Sequence, residues 1–142
     1  MFKLGKRSRK NMIGLHPIIA FAVEMAIKET KQDFGIVNRG GVRTDAEQRA
    51  MYAQGRTTEG SKVTWTLDSY HQYGLAVDLV AYVNGKFTWK DKYYTEIIRA
   101  MKKVIKDHNL PIDNGFDLWK RDKPHWQLTG YKNKYDIRKI MA

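Results

Sequence analysis

Apolar residues recur at helical spacing from Pro17 to Thr30. Ile19, Val23, Ala26 and Ile27 form the stripe, and Ile18, Ala22 and Met25 widen it. The pattern predicts a core-facing helix opened by Pro17 in its first turn. A second helix is predicted from about Asp91 to His108. Tyr94, Ile97, Ile98, Met101, Val104 and Ile105 lie on one side, and Arg99, Lys102, Lys103 and Lys106 form a solvated face on the other. Between these helices the periods are shorter. Residues 34–39 read as a strand, and Gly40-Gly41 as a turn. Thr44 and Glu47 stand at capping-box spacing before a helix that Gly55 stops. Residues 57–66 read as a polar loop bordering a cleft. Residues 76–83 read as one largely apolar strand, which Asn84-Gly85 turns into a hairpin partner at 86–89. Residues 111–116 read as a connection, and a short strand starts at His125. The order of elements predicts an α+β chain.

Length and composition narrow the picture. A chain of 142 residues has the size of one domain and enough apolar content for a core, so 1–142 is expected to form a single domain. Without cysteine there are no disulfides or thiolate metal sites. No apolar run is long enough to span a membrane, and the first ten residues lack the apolar centre of a secretory signal. Twenty-six Lys and Arg against 15 Asp and Glu leave a net charge of +11, which attracts polyanions such as nucleic acid, anionic lipid, lipopolysaccharide or cell wall. The basic residues concentrate in an N-terminal arm, about 1–12, and a C-terminal segment, about 130–142. We read the arm as mobile or lying along the surface, with order from near Leu15, and the C-terminal segment as a short basic helix. No zinc-finger spacing or single-strand-binding signature accompanies these charges, so a specific nucleic-acid site is not expected.

The candidate chemistry lies in two stretches. In the first, His71 and Asp78 stand seven apart, and Asp78 interrupts an apolar strand. A carboxylate in such a place is costly unless it is paired, hydrogen-bonded or bound to a metal. The second, Asp122-Lys123-Pro124-His125, supplies another acid and histidine. Pro124 keeps them off a helix, so Asp122 reaches in from a loop and His125 begins a strand. His71, Asp78 and His125 together make the three protein ligands typical of a catalytic zinc, with Asp122 left as general base and acid toward a water. His16 reads as a structural or surface histidine, Trp65 as packing beside the core strand, and Arg43, by spacing alone, as a surface arginine before a helix cap.

Gly41-Val42-Arg43-Thr44, Ser69-x-His71-x-x-Gly74-x-Ala76-x-Asp78 and Asp122-x-Pro124-His125-Trp126 together resemble the zinc peptidases of the D-alanyl-D-alanine carboxypeptidase and dipeptidase group. Within it the chain is most similar to the phage L-alanyl-D-glutamate endopeptidases. The resemblance implies the hedgehog-like α+β fold, with a small antiparallel sheet carrying the zinc ligands and helices packed against it. It also implies hydrolysis of a peptidoglycan stem peptide, with Zn2+ on His71, Asp78 and His125. Asp122 would activate the water, Arg43 stabilise the oxyanion, and Ser69 support the site or touch substrate. Many relatives have glutamate where this chain has Asp122, and that difference favours the endopeptidase over the dipeptidases. The expected setting is a monomeric endolysin made in the cytoplasm of an infected bacterium and acting on the wall after release to the periplasm. Its basic surface suits lipopolysaccharide or anionic lipid. The alternatives are a D-Ala-D-Ala carboxypeptidase or dipeptidase, or a zinc-containing wall-binding module without catalysis.

Overall fold

The computed structural model describes residues 1–130, and the expected basic helix at the C-terminus lies outside them. Helix α2 (Pro17–Glu29) follows the predicted stripe, burying Ile19, Ala22, Val23, Ala26 and Ile27. His16 caps it, its Nδ1 accepting from Ile18 N at 3.1 Å, so this histidine is structural. Helix α4 (Tyr94–His108) turns Tyr94, Ile97, Ala100, Met101 and Val104 inward and packs on α2. The two helices share one core with strand residues Phe34, Val77, Ala81, Trp126 and Leu128 and with Leu79 between two strands. Full burial of a large aliphatic side chain contributes about 1.5–3 kcal/mol. Tyr94 also anchors α4, donating to Thr88 O at 2.7 Å and accepting from Ala81 N at 3.1 Å.

Among the described residues, six short strands form two antiparallel sheets. Strands β1 (Phe34–Gly35), β3 (Val80–Val83) and β4 (Lys86–Thr88) lie in the order β1-β3-β4. Strands β2 (Ala76–Asp78), β5 (Ile112–Asn114) and β6 (His125–Leu128) lie in the order β2-β6-β5. The predicted strand over 76–83 is thus two strands in different sheets. The chain changes sheet at Leu79, whose N–H is taken by Pro124 O at 2.9 Å, while Asp78 N donates to Gly40 O at 2.7 Å. Asn84 and Gly85, with φ of 51° and 79°, turn β3 into β4 as expected.

Three further expectations are corrected. The N-terminal residues are ordered well before Leu15. Helix α1 (Lys6–Asn11) is anchored by buried Leu4 and Ser8, four apart, and Ser8 Oγ accepts from Ile36 N at 3.0 Å. A side chain at Gly35 would meet that hydroxyl, so glycine lets α1 approach the sheet. The strand expected over 34–39 pairs only at Phe34 and Gly35, and residues 112–114 are a strand rather than a connection. After β5 comes helix α5 (Gly115–Trp119), capped by Asn114.

Candidate metal centre

Asp78 ends β2 and His125 begins β6, and the two are direct cross-strand partners. Opposed residues share a face of the sheet, so both side chains project the same way. His71 comes from a 3₁₀ turn (Tyr70–Tyr73) just before β2, so the sheet carries two of the three expected ligands and this turn carries the third. Ser69 caps the turn through its side chain, which accepts from His71 N at 3.2 Å. Gly74, at φ 71°, reverses the chain where an added Cβ would collide with the Gly14 carbonyl.

These elements bring three ligand atoms into an equilateral triangle. His71 Nε2, Asp78 Oδ1 and His125 Nδ1 lie 3.3 Å from one another. The outer nitrogen of each ring is already engaged. His71 Nδ1–H donates to Gly41 O at 2.9 Å, and His125 Nε2–H donates to the Gln127 side-chain oxygen at 2.8 Å. This assignment leaves a bare nitrogen on each ring facing Asp78, as a metal-binding imidazole requires. The group can hold a metal ion.

The electrostatics agree. Burial pushes His71 down from its ordinary value, against the charge of Asp78, so this ring is held neutral. Burial also works to lower His125, but in the protonated ring Nδ1–H would bond to Asp78, and that bond with the carboxylate's charge outweighs burial and raises it. Burial opposes the ionisation of Asp78, yet the two imidazoles hold it well below the usual carboxylate range.

Arg43 is buried behind Asp78, not on the surface as its spacing suggests. Its Nε donates to Arg39 O at 2.6 Å, Nη1 to Gln48 Oε1 at 3.1 Å and Nη2 to Asp78 Oδ2 at 3.3 Å. Of its five N–H donors, one on each terminal nitrogen has no partner among the described residues. The predicted capping box is present in helix α3 (Asp45–Ala53), with Thr44 and Glu47 bonded reciprocally at 2.9 and 3.0 Å. Fully buried Gln48 on α3 also donates to Thr66 O at 2.8 Å, fastening the 57–66 loop beside the site.

Asp122 does come from a loop, with its backbone at φ 66°. Asn114 holds that loop, its side-chain nitrogen donating to Lys123 O at 2.9 Å and His125 O at 3.0 Å. The Asp122 side chain opens into the cleft, yet is crowded enough that desolvation, with help from Asp78, raises its pKa. The cleft encloses about 690 Å³. It is lined by His71, Asp78, Asp122, His125, Ser69 and Arg43, and by Arg39, Arg121 and three tryptophans. Trp65 is not packed beside the core strand. It is 62% exposed, with Arg56, Lys62 and Arg121 around its ring. Trp89 is equally open, and the Trp119 ring lies 5.2 Å from that of His125.

Sequence reading passed over Gln127, Gln48, Asn114 and Arg121. Gln127 alone carried a local signal, standing two residues from His125 and so on the same side of a strand.

A cluster of three ligand atoms, open on its remaining side to a cleft with an acid at the rim, is an arrangement used by metal-dependent hydrolases. Residues 1–136 match the model of the phage L-alanyl-D-glutamate peptidases, and the chain belongs to that family. It is 33% identical to the peptidoglycan L-alanyl-D-glutamate endopeptidase CwlK of Bacillus subtilis, over 80% of this chain and 73% of that one. It is 29% identical to the L-alanyl-D-glutamate peptidase of Escherichia phage T5, over 82% of this chain and 81% of the relative. Among solved structures, the Serratia marcescens L-Ala D-Glu endopeptidase ChiX superposes with a TM-score of 0.74 at 29% identity, covering 99% of this chain and 95% of that one.

Proposed function

We propose that the protein is a zinc-dependent endopeptidase that hydrolyses the amide between L-alanine and D-glutamate in peptidoglycan stem peptides. The triangle of ligand atoms carries the zinc reading. A tetrahedral ion with bonds of about 2.0–2.1 Å sets its ligand atoms about 3.3 Å apart, and the three atoms already stand at that spacing. The family and the named activities of the relatives support the substrate.

His71, Asp78 and His125 would hold the ion, through the three atoms that face one another. Bound zinc would supply the positive charge that acidifies a water and polarises the scissile carbonyl. Asp122 takes the proton of the attacking water and delivers it to the departing amine, a role suited to a carboxylate whose pKa is raised toward the working range. Arg43 holds Asp78 and directs a free N–H toward the developing oxyanion. Ser69 fixes His71 and borders the substrate. Among the described residues no helix is long and apolar enough to cross a membrane. We read the enzyme as acting in lysis, on the wall of the infected cell.

Digestion of purified peptidoglycan with and without a chelator, with mass spectrometry of the released peptides, tests this. New L-alanine C-termini and D-glutamate N-termini are expected, lost with chelator and restored by zinc. Release of terminal D-alanine instead would move the assignment to a carboxypeptidase, and no cleavage by zinc-loaded protein would remove it from the peptidases. Asp122→Asn should keep zinc and lose about 10²–10⁴-fold in turnover.

A further inference from the structure

We infer that Arg121 binds the free α-carboxylate of the D-glutamyl residue on the departing side of the cut bond, so that the enzyme prefers stem peptides in which this group is not amidated. The inference rests on the endopeptidase reading above. In a stem peptide D-glutamate continues the chain through its γ-carboxyl group. Its α-carboxyl group is left on the carbon that bears the scissile nitrogen. The nitrogen that Asp122 must protonate therefore arrives with a negative charge one carbon away.

That charge enters a cleft already holding the carboxylates of Asp78 and Asp122. Bound zinc and Arg43 would answer Asp78 and the developing oxyanion, which leaves the incoming carboxylate in need of a cation of its own beside Asp122. Three arginines line the cleft. Arg43 is committed to Arg39 O, Gln48 and Asp78. Arg39 lies 3.8 Å from Glu47. Arg121 is exposed and, among the described residues, has no acidic group within ion-pair distance.

Its position fits the task. Lys120 and Asp122, which flank Arg121, both have positive φ, 59° and 66°. Arg121 and Asp122, consecutive in sequence, line the same cleft. The Arg121 guanidinium carbon lies 5.9 Å from the centre of the Trp65 ring. Support from an aromatic face leaves the N–H edge of a guanidinium available, and that planar fork matches a carboxylate in a bidentate pair. An amide in place of the carboxylate has no charge to pair and directs an NH₂ group at the fork.

Two synthetic muropeptides differing only in a free or amidated D-glutamyl α-carboxyl group test the inference. Initial rates with zinc-loaded wild type, R121Q, R121K and R39Q give kcat and KM for each. The wild type should favour the free acid about tenfold to a hundredfold. R121Q should bring that ratio near one, mainly through KM for the acid, because the contact is equal in ground and transition states. R121K should keep part of it, and R39Q nearly all. Equal cleavage of both peptides by the wild type, or a ratio unchanged in R121Q, would overturn the inference while leaving the endopeptidase reading in place. Collapse of the ratio in R39Q alone would overturn the assignment to Arg121. Failure of the wild type to cut either peptide would overturn the reading itself and the inference with it.

Discussion

Replacing Gln127 by methionine should weaken metal binding without removing a ligand. Gln127 accepts from His125 Nε2–H at 2.8 Å and so fixes the ring that presents Nδ1 to Asp78 and His71. Methionine keeps the length of the side chain and removes the acceptor. Loss of such an outer partner typically costs about 10–100-fold in metal affinity. The consequence can be read as a zinc-induced rise in melting temperature, independent of catalysis. At zinc one hundred times the wild-type dissociation constant, binding stabilises the fold by about 2.7 kcal/mol. An unfolding entropy of about 2.1 cal/mol/K per residue over 142 residues is about 0.3 kcal/mol/K, so the wild type should rise by roughly 9 °C. At the same zinc concentration, a tenfold weaker site gains about 1.4 kcal/mol, or roughly 5 °C, and a hundredfold weaker one about 0.4 kcal/mol, or roughly 1 °C. Scanning calorimetry with and without zinc measures all of these. A full shift in Q127M would refute the orienting role of Gln127, and no shift in the wild type would refute the metal site itself.

The zinc-induced shift should also depend on pH. His125 is raised in the metal-free fold, so its contribution to stability is complete below the unfolded value of 6.5 and is lost as the pH rises through the folded value. His71 is lowered, so its contribution is present above 6.5 and is lost as the pH falls through its folded value. Zinc needs both rings neutral, so calorimetry should show the shift growing as the pH rises from about 6.5, and a flat profile would count against proton competition at His125. Gly41→Ala should lower the metal-free melting temperature and weaken zinc binding together. The new methyl group would collide with the Asn11 carbonyl while Gly41 O orients His71. Overpacking against backbone costs about 1–3 kcal/mol, or roughly 3–10 °C, and wild-type melting behaviour in this variant would show that the turn can shift freely.

What was legible in the sequence was local. The α2 stripe and the Thr44–Glu47 capping box depend on neighbours within a turn or two, and both are present in the structure. Two of the chain's four histidines, each with an acid nearby, also singled out the site by residue type. The misreadings share a different cause. An apolar run over 76–83 looks the same whether one sheet takes all of it or two sheets divide it at Leu79, because the deciding acceptors, Gly40 O and Pro124 O, come from elsewhere in the chain. At α1, Leu4 just before the helix and Ser8 within it are buried among basic residues, and no longer apolar period marks them. Gln48 lies in a mostly polar helix and meets Arg43, five residues earlier, and the 64–66 loop, which sequence spacing does not bring near. Trp65, an aromatic beside a core strand, reads as packing, but it stands exposed at the rim of the cleft with three cationic side chains around its ring.

The turn at 39–41 explains how so small a sheet can hold the site. Its three consecutive carbonyls each take a separate part of the centre: Arg39 O accepts from Arg43 Nε, Gly40 O from Asp78 N and Gly41 O from His71 Nδ1, at 2.6, 2.7 and 2.9 Å. Backbone acceptors need no rotamer fixed before they act, so this arrangement costs less side-chain entropy than three polar side chains would. It also explains the paired glycines, since a Cβ on Gly40 would press on Val37 O at 3.0 Å and one on Gly41 would collide with Asn11. Because α1 supplies that Asn11 carbonyl, and Asn11 Nδ2 also donates to Ile36 O at 2.9 Å, the N-terminal helix braces the turn. The basic N-terminal residues thus do more than carry charge: through Asn11 and Ser8 they help hold the carbonyls that orient the ligands.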